Sequence, residues 1–233
     1  ASNRYYPRDL VLDENGTIYI AERYAVTCLD NNGSFKWRKG RNASISNNGS
    51  YGSGDGEFND AHGIAIGNDG YLYIADHTNH RIQVLDKNGS FVRKFGSYGT
   101  APGQLRNARD ITCLKDGTVV VGDAYYLHFF EQAGTFLKRV NTSSANSYIS
   151  VSKDGALFSY QRLRDQDGNQ IAYLNNINYN SRTCFTPEGD LIVSYNNKVQ
   201  IWQRAYRTKG LPTRNVIPQP AIRSISQRSG TNT

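Results

Sequence analysis

The sequence has no methionine, and its 233 residues include only two tryptophans, three cysteines and four histidines. Each shortage excludes something. Cys28, Cys113 and Cys184 lie far apart with no CxxC spacing, which argues against a disulfide framework and a structural zinc site. One disulfide pair stays open beside the expectation of buried free thiols. No apolar run approaches the roughly 18–20 residues of a membrane-spanning helix, so no membrane insertion is expected. The chain opens Ala1-Ser2-Asn3 without a charged-plus-apolar leader. The expectation is a processed, exported chain, extracellular or at a cell surface; removal of a methionine before Ala1 explains the start equally well.

Prolines number six, against 22 glycines and 16 tyrosines, a balance that suits many tight turns. The length allows one all-β domain or two small ones, and is enough to bury a core. A net charge of +7 comes from scattered Lys and Arg. The densest groups are Lys36, Arg38, Lys39 and Arg41, then Arg204, Arg207, Lys209 and Arg214. Such a charge attracts nucleic acid, anionic glycans or a charged surface, or simply solvates the protein.

What the sequence does have is repetition. The segments 9–22, 63–76, 110–123, 148–161 and 183–195 each place a few strand-forming residues before a turn, which ends at Gly16, Gly70, Gly117, Gly155 or Gly189. A second β-rich run follows each glycine. Asn-Gly and Asp-Gly dipeptides are expected to supply the positive φ of a tight hairpin. Leu12, Ile66, Cys113, Val151 and Phe185 lie four residues before these glycines, and Leu10, Ile64, Ile111, Ile149 and Thr183 lie six before. Spacing of two puts both sets on one strand face, where burial is expected. Val11, Ala65, Thr112, Ser150 and Cys184 fall between them, so Cys113 and Cys184 read as packing residues. A second turn recurs at Gly33, Gly89, Gly134 and Gly168, each opening another strand. Four antiparallel strands, repeated every 34–54 residues without helical periodicity, indicate an all-β fold: a β-propeller of four-stranded blades.

Within this pattern, Asn79-His80-Arg81-Ile82 inside YLYIADHTNHRIQVLD resembles an NHL repeat, with GEFNDAHGIAI (56–66) before it and GSFVRKFG (89–96) after it. Gly103-Gln104-Leu105 repeats the lead-in at 101–140; the resemblance is recognisable at 7–39 and weak at 141–206. Five blades can be counted, the fourth shortened. The family's usual six leaves three routes to closure: a five-bladed ring, a blade outside the given chain, or a blade shared by terminal segments such as Tyr5-Tyr6 or Gln200-Ile201-Trp202. The domain expectation is a propeller over 1–210. It is followed by a proline-containing extended tail over 211–233, either the start of another domain, an arm between subunits or a disordered end.

Several groups are candidates for chemistry. Asp76, His77, His80 and Arg81 could hold a metal or an acid–base pair. The resemblance instead gives His80 and Arg81 a structural role, tying strands together, and Asp76 matches a recurring acid at Glu22 and Asp123. His62 stands in an ordinary lead-in, and His128 is isolated in an aromatic strand. Propeller enzymes similar to this fold carry a metal or acid near the central channel; here Asp9, His62, Asp110 and Arg182 are the channel candidates. Asp9 and Asp110 occupy equivalent places and either bind a cation, such as calcium, or accept hydrogen bonds from backbone amides. No other cofactor, catalytic residue or metal site is expected.

Residues 40–56 form a Gly/Ser/Asn-rich insertion that reads as a flexible surface loop. Loops of this kind ring one face of a propeller, and binding is expected there through Arg41, Tyr51, Tyr98, Tyr125, Tyr126 and Arg182. Six N-x-S/T sequons begin at Asn15, Asn32, Asn42, Asn48, Asn88 and Asn141; Asn42 and Asn48 are the better glycosylation candidates. The expected function is a non-catalytic extracellular binding or assembly module for a protein or glycan partner, with self-association through the tail. A metal-dependent lyase or hydrolase is one alternative. Binding of single-stranded RNA through a basic face is the other, although nucleic acid is the less expected partner.

Overall fold

The computed structural model of the chain describes residues 6–44, 47–142, 148–159, 161–173, 182–195 and 198–202. Blade one comprises β1 (Pro7–Leu12), β2 (Ile18–Glu22), β3 (Ala25–Leu29) and β4 (Phe35–Lys39). A two-rung ladder of β5 (Ala43–Ser44) and β6 (Asn47–Asn48) follows. Blade two is β7 (Ala61–Ile66), β8 (Leu72–Asp76), β9 (Arg81–Leu85) and β10 (Phe91–Phe95). Blade three is β11 (Asp110–Cys113), β12 (Val119–Gly122), β13 (Tyr126–Phe130) and β14 (Phe136–Asn141). Each blade is a meander in which neighbouring strands pair antiparallel. These three blades lie in one compact unit, Ala1–Ile149.

A second unit, Ser150–Thr233, holds the short strands β15 (Ser150–Val151), β16 (Leu157–Ser159), β17 (Arg162–Arg164) and β18 (Gln170–Tyr173). It also holds a three-stranded sheet of β19 (Arg182–Phe185), β20 (Leu191–Tyr195) and β21 (Lys198–Trp202). Gln200-Ile201-Trp202 therefore pairs with β20 in its own sheet. The tail over 211–233 and the basic group from Arg204 to Arg214 lie outside the described residues, as does Tyr5.

The hairpins have a shared chemistry that differs from a bare Asn-Gly turn. At the first, the Gly16 amide donates to the Asp13 carbonyl, the Asp13 amide donates to Thr17, and Gly16 sits at φ +78. This is a type I turn closed by a left-handed glycine, so the preceding Asn or Asp need not leave the right-handed region. The Asp13 carboxylate also accepts the amides of Asn15 and Thr17, at 2.9 Å each. Asp30, Asp86 and Asp165 repeat that arrangement.

The core of the first unit sits between blades. Tyr19, Val26 and Cys28 of blade one pack against Ile64, Leu72, Ile74 and Leu85 of blade two. Ala65, Tyr73, Ile82 and Val84 on blade two's other face pack against Ile111, Val119, Val121 and Phe130 of blade three. Each fully buried side chain of this size contributes roughly 1.5–3 kcal/mol by leaving water. The expected burial of the inner-strand residues holds for Ile64 and Ile111, each 4% exposed, and fails in blade one, where Leu10 and Leu12 are 55% and 54% exposed. The reason is positional: β1 opens the unit, so no earlier blade of that unit covers its face. Instead, Pro7, Ile20, Leu29 and Phe35 border a cavity of about 310 Å³, with Glu22 and Arg38 also in its lining.

All three cysteines are free thiols, but only Cys28 is buried; Cys184 is exposed. The packing expected of Cys184 is thus not found, since on β19 it alternates with the half-buried Thr183 and Phe185.

Candidate functional site

Antiparallel meanders send alternate connections to opposite ends of a blade. The loops that enter each inner strand, and the turns joining second to third strands, therefore share one end: residues 40–60, 96–109, 23–24, 77–80 and 123–125. This end forms a rim, built entirely from residues of the first unit.

The rim is held by an acid at the end of each second strand. Arg38 meets both oxygens of Glu22 at 2.8 and 3.1 Å, with Thr27 donating to the same carboxylate. In blade three, the corresponding partner is a histidine: His128 Nε2 lies 2.9 Å from Asp123 Oδ2, and both side chains are buried. His128 is therefore paired, not isolated. Burial pushes the Asp123 carboxyl up, but His128 and the amides of Tyr125 and Arg106 outweigh it and hold the group below its ordinary range.

Blade two has the most developed version. Asp76, fully buried, accepts Asn59 N–H at 2.9 Å on one oxygen, and Asn79, Arg81 and Gln83 at 2.9, 2.8 and 3.1 Å on the other. Arg81 then donates to the carbonyls of Ser53, Gly54 and Glu57. Gln83 bonds Glu57 O and the Gly56 amide, and Asn79 bonds Gly52 O. One carboxylate thereby orders the 52–59 segment. The expectation of a flexible loop over 40–56 is corrected to this extent, because buried side chains satisfy its backbone groups in place of water. The structural role expected for His80 and Arg81 is what the geometry shows: His80 Nδ1 accepts the Asn107 amide at 3.0 Å.

Along the inner strands, Asp9 accepts the Ile64 amide at 3.0 Å, and Asp110 accepts the Ile149 amide at 2.7 Å. Each aspartate ties its strand to the start of the next repeat. Blade two has Gly63 at the equivalent place, and there the Ile111 amide turns to Asp110's own carboxylate at 2.9 Å. A Cβ on Gly63 would lie 2.8 Å from Asp110 Cα, so the missing side chain allows that close approach.

Just above these aspartates, Arg8, His62 and Arg109 occupy matching positions, eight residues before Gly16, Gly70 and Gly117. The His62 ring centroid lies 5.6 Å from that of His77 and 6.1 Å from that of Tyr148. Arg109 covers Tyr148 at 5.9 Å. Asp60, presented by a left-handed residue (φ +63), pairs with Arg8 at 2.8 Å and stands 3.9 Å from His77 Nδ1. His62 makes no hydrogen bond through its ring among the described residues. Its pKa is pushed down to about 4 by burial, with Asp60 opposing and Arg109, His77 and Arg8 reinforcing. His77 is lowered chiefly by burial as well. Both rings are neutral at pH 7. Among the described residues, no three His, Cys, Asp or Glu side chains are grouped to hold a metal ion.

The expected anchors fall into distinct settings. Tyr51, Tyr98 and Tyr125 project from the rim at 64%, 62% and 46% exposure. Tyr98 packs at a tilt against His80, with centroids 4.8 Å apart, and Arg106 lies 5.8 Å from its ring. Arg23, which no motif in the sequence marks, lies 5.0 Å from Tyr24 and 6.0 Å from Tyr6. Arg41 is exposed beside the β5–β6 ladder. Tyr126 is half-buried, with the Arg139 guanidinium 4.3 Å above its ring. Arg182 is on β19 of the second unit, and its side chain lies outside the described residues. Asn42 is exposed in a left-handed turn (φ 53), whereas the Asn48 side chain lies outside the described residues.

Blades of four antiparallel strands packed face to face, with inner strands tied in series, define a β-propeller. Residues 58–85 match the NHL repeat. The chain thus carries an NHL repeat on a β-propeller fold. No curated protein matches it in sequence. Solved structures do: the chain is similar to Kuenenia stuttgartiensis hydrazine synthase (14% identity, TM-score 0.62), covering 86% of itself and 58% of that chain. It is similar to a catalytically inactive histidine-to-alanine variant of Staphylococcus aureus virginiamycin B lyase with Quinupristin (13%, TM-score 0.63; 86% and 68% covered). A nidogen/laminin complex is a third (14%, TM-score 0.60; 84% and 74% covered). The chain thus spans less than two thirds of the hydrazine synthase length, and identities this low establish the fold alone.

Proposed function

We propose that this propeller is a non-catalytic binding module, extracellular or at a cell surface, that recognises a protein partner across the rim of its first three blades. The observation that carries this reading is the set of exposed Tyr51, Tyr98 and Tyr125 on one rim, interleaved with Arg23, Arg41 and Arg106. Tyrosine and arginine are the residues that anchor protein interfaces, being large, amphipathic and low in conformational cost. The likeness to a nidogen/laminin complex supports the same reading. The test is a Tyr51/Tyr98/Tyr125→Ala triple variant compared with a triple variant at Asn15, Asn32 and Asn88 on the opposite end. Loss of the captured partner in the first and retention in the second is expected; equal retention refutes the rim. The tail from Leu211 would act as a connector, and light scattering on the intact chain and on residues 1–210 tests that: equal molar masses refute it.

One observation favours a second reading. Two neutral imidazoles with ring centroids 5.6 Å apart, His62 and His77, suit general acid–base chemistry, and the inactive lyase variant is a histidine-to-alanine form. A His62→Ala variant that leaves partner capture intact but abolishes turnover of a streptogramin-type substrate would establish the lyase instead.

A further inference from the structure

In the second unit the repeat departs from its own pattern at two arginines. Four residues before the glycine of the second turn, blades one to three carry Leu29, Leu85 and Phe130, and the last two are core residues. Blade four has Arg164 there, only 3% exposed. Two residues earlier stands Arg162, in the place of Thr27, Gln83 and His128, each of which bonds the second-strand acid of its blade. That acid, Glu22, Asp76 or Asp123, comes six residues after the first-turn glycine. In blade four the position is Gln161, which has no charge to offer. We infer that Arg162, Arg164 and Ser159 form a binding site for a small tetrahedral oxyanion, phosphate or sulfate, which completes blade four as its counter-ion.

The strand register gathers the three side chains. Ser159 pairs with Arg162 across β16 and β17, and Leu157 with Arg164, so alternation sets Ser159, Arg162 and Arg164 on one face. Phe158 and Leu163 take the other face and pack with Leu191 and Val193 of the three-stranded sheet. Arg164 donates from Nη1 to the Gly168 carbonyl at 2.8 Å, closing its own turn. Its Nε and Nη2 have no hydrogen-bond partner among the described residues, and neither has Arg162 Nε nor the hydroxyl of the fully buried Ser159. Nε and Nη2 are the two donors of one guanidinium edge, the edge that grips an oxyanion through two parallel N–H bonds. A buried cation with that edge unmatched is strongly unfavourable until an acceptor arrives.

The acidic side chains of the chain do not supply that acceptor. All 20 Asp and Glu residues are among the described ones, and none bonds these nitrogens. Asp165 is the acid that acts on Arg164, and Arg162 outweighs it; burial first, then Arg162, holds the Arg164 guanidinium below its ordinary range. The Asp165 carboxylate stays ionised, but its oxygens accept the amides of Asp167 and Asn169 and the Asn169 side chain, at 2.9, 2.8 and 2.9 Å. It moderates the charge of the arginine pair without reaching their donors. The donor set then selects the ligand. The Arg164 edge takes two oxygens, while Arg162 Nε and the Ser159 hydroxyl belong to separate side chains. A tetrahedral oxyanion has four oxygens to divide among them, whereas a carboxylate has two in one plane and chloride is a single centre. The burial of Arg164 and Ser159 favours a small free ion over one carried on a macromolecule.

The experiment is arginine Nε–H NMR on the full chain, in separate titrations with phosphate, sulfate, acetate and chloride at constant ionic strength. Saturable shifts of the Arg162 and Arg164 resonances with phosphate and sulfate are expected. Arg164→Leu restores the residue of blades one and two, so it should keep the fold and, read at Arg162, weaken phosphate by about tenfold or more. Ser159→Asp sets a carboxylate across from Arg162, the pairing that Asp76 and Arg81 already make, and should displace the ion to a similar degree. Lys153→Gln, at an exposed cation of the same unit, should change nothing. Equal weakening by Lys153→Gln would overturn the site in favour of general electrostatics. Saturation by acetate or chloride as tight as by phosphate would overturn the tetrahedral assignment. No saturable shift with any of the four anions would overturn the proposal outright and leave these donors to solvent.

Discussion

Replacing Asp76 by alanine should be the most damaging single change on the rim. The carboxylate is fully buried and accepts from Asn59 N–H, Asn79, Arg81 and Gln83, all within 3.1 Å. Its removal leaves Arg81, 8% exposed, as an uncompensated cation that still binds three loop carbonyls. Breaking a buried ion pair costs about 3–5 kcal/mol, and each orphaned donor about 1–3 kcal/mol, although terms within one network do not add. A loss of about 4 kcal/mol is expected, which for a unit of this size lowers Tm by roughly 10–15 °C. Urea unfolding followed by circular dichroism measures the loss, and amide exchange over 52–59 should localise it. Asp76→Ala combined with Arg81→Ala should cost at least about 2 kcal/mol less than the two single losses added together. A single-variant loss below about 1 kcal/mol, or strict additivity, would refute the view that this one carboxylate organises the rim.

Three further outcomes follow from the inner strands. His62 stays neutral down to about pH 4 in the fold, whereas its ordinary value is 6.5. The unfolded chain therefore takes up a proton that the folded chain does not, so this part of the stability is complete above pH 6.5 and falls as pH drops toward 4. His62→Gln should flatten that decline by up to about 3 kcal/mol in urea titrations across the range, and an unchanged slope would be contrary. Gly63→Ala drives a methyl against Asp110 Cα and should cost about 1–3 kcal/mol by thermal melting; a neutral result would mean the strands separate freely. Asp110→Ala strips the Ile149 and Ile111 amides of their acceptor, for about 1–3 kcal/mol, with faster exchange of those two amides as the direct readout.

Much of this architecture was legible in the chain. The glycine-marked hairpins located every blade, because only glycine adopts the left-handed closure without strain. The amide-binding role of Asp9 and Asp110 was one of two readings left open by their matching register. Other features had weaker signals. Asp13, Asp30, Asp86 and Asp165 stand three residues before their glycines, a recurrence that could have revealed the turn type. Leu10 and Leu12 carry the same apolar signature as Ile64 and Ile66, yet their exposure depends on which blade stands beside them, which periodicity does not encode. The meeting of His62 and His77 was hidden for a similar reason: it joins an inner strand to a turn 15 residues later, and neither residue is marked by a motif for that purpose.

The Asp76 hydrogen bonds also set limits on how this rim can change. Residues 52–59 are bonded group by group to one blade, so an added or deleted residue there would break several contacts at once. In the stretch from Arg41 to Tyr51, Arg38 of blade one donates to the Ser44 carbonyl at 2.9 Å, beside the small β5–β6 ladder. Length changes should therefore be rejected across 52–59, so a new partner is better fitted to the propeller by exchanging exposed side chains on the rim than by splicing foreign sequence into that segment.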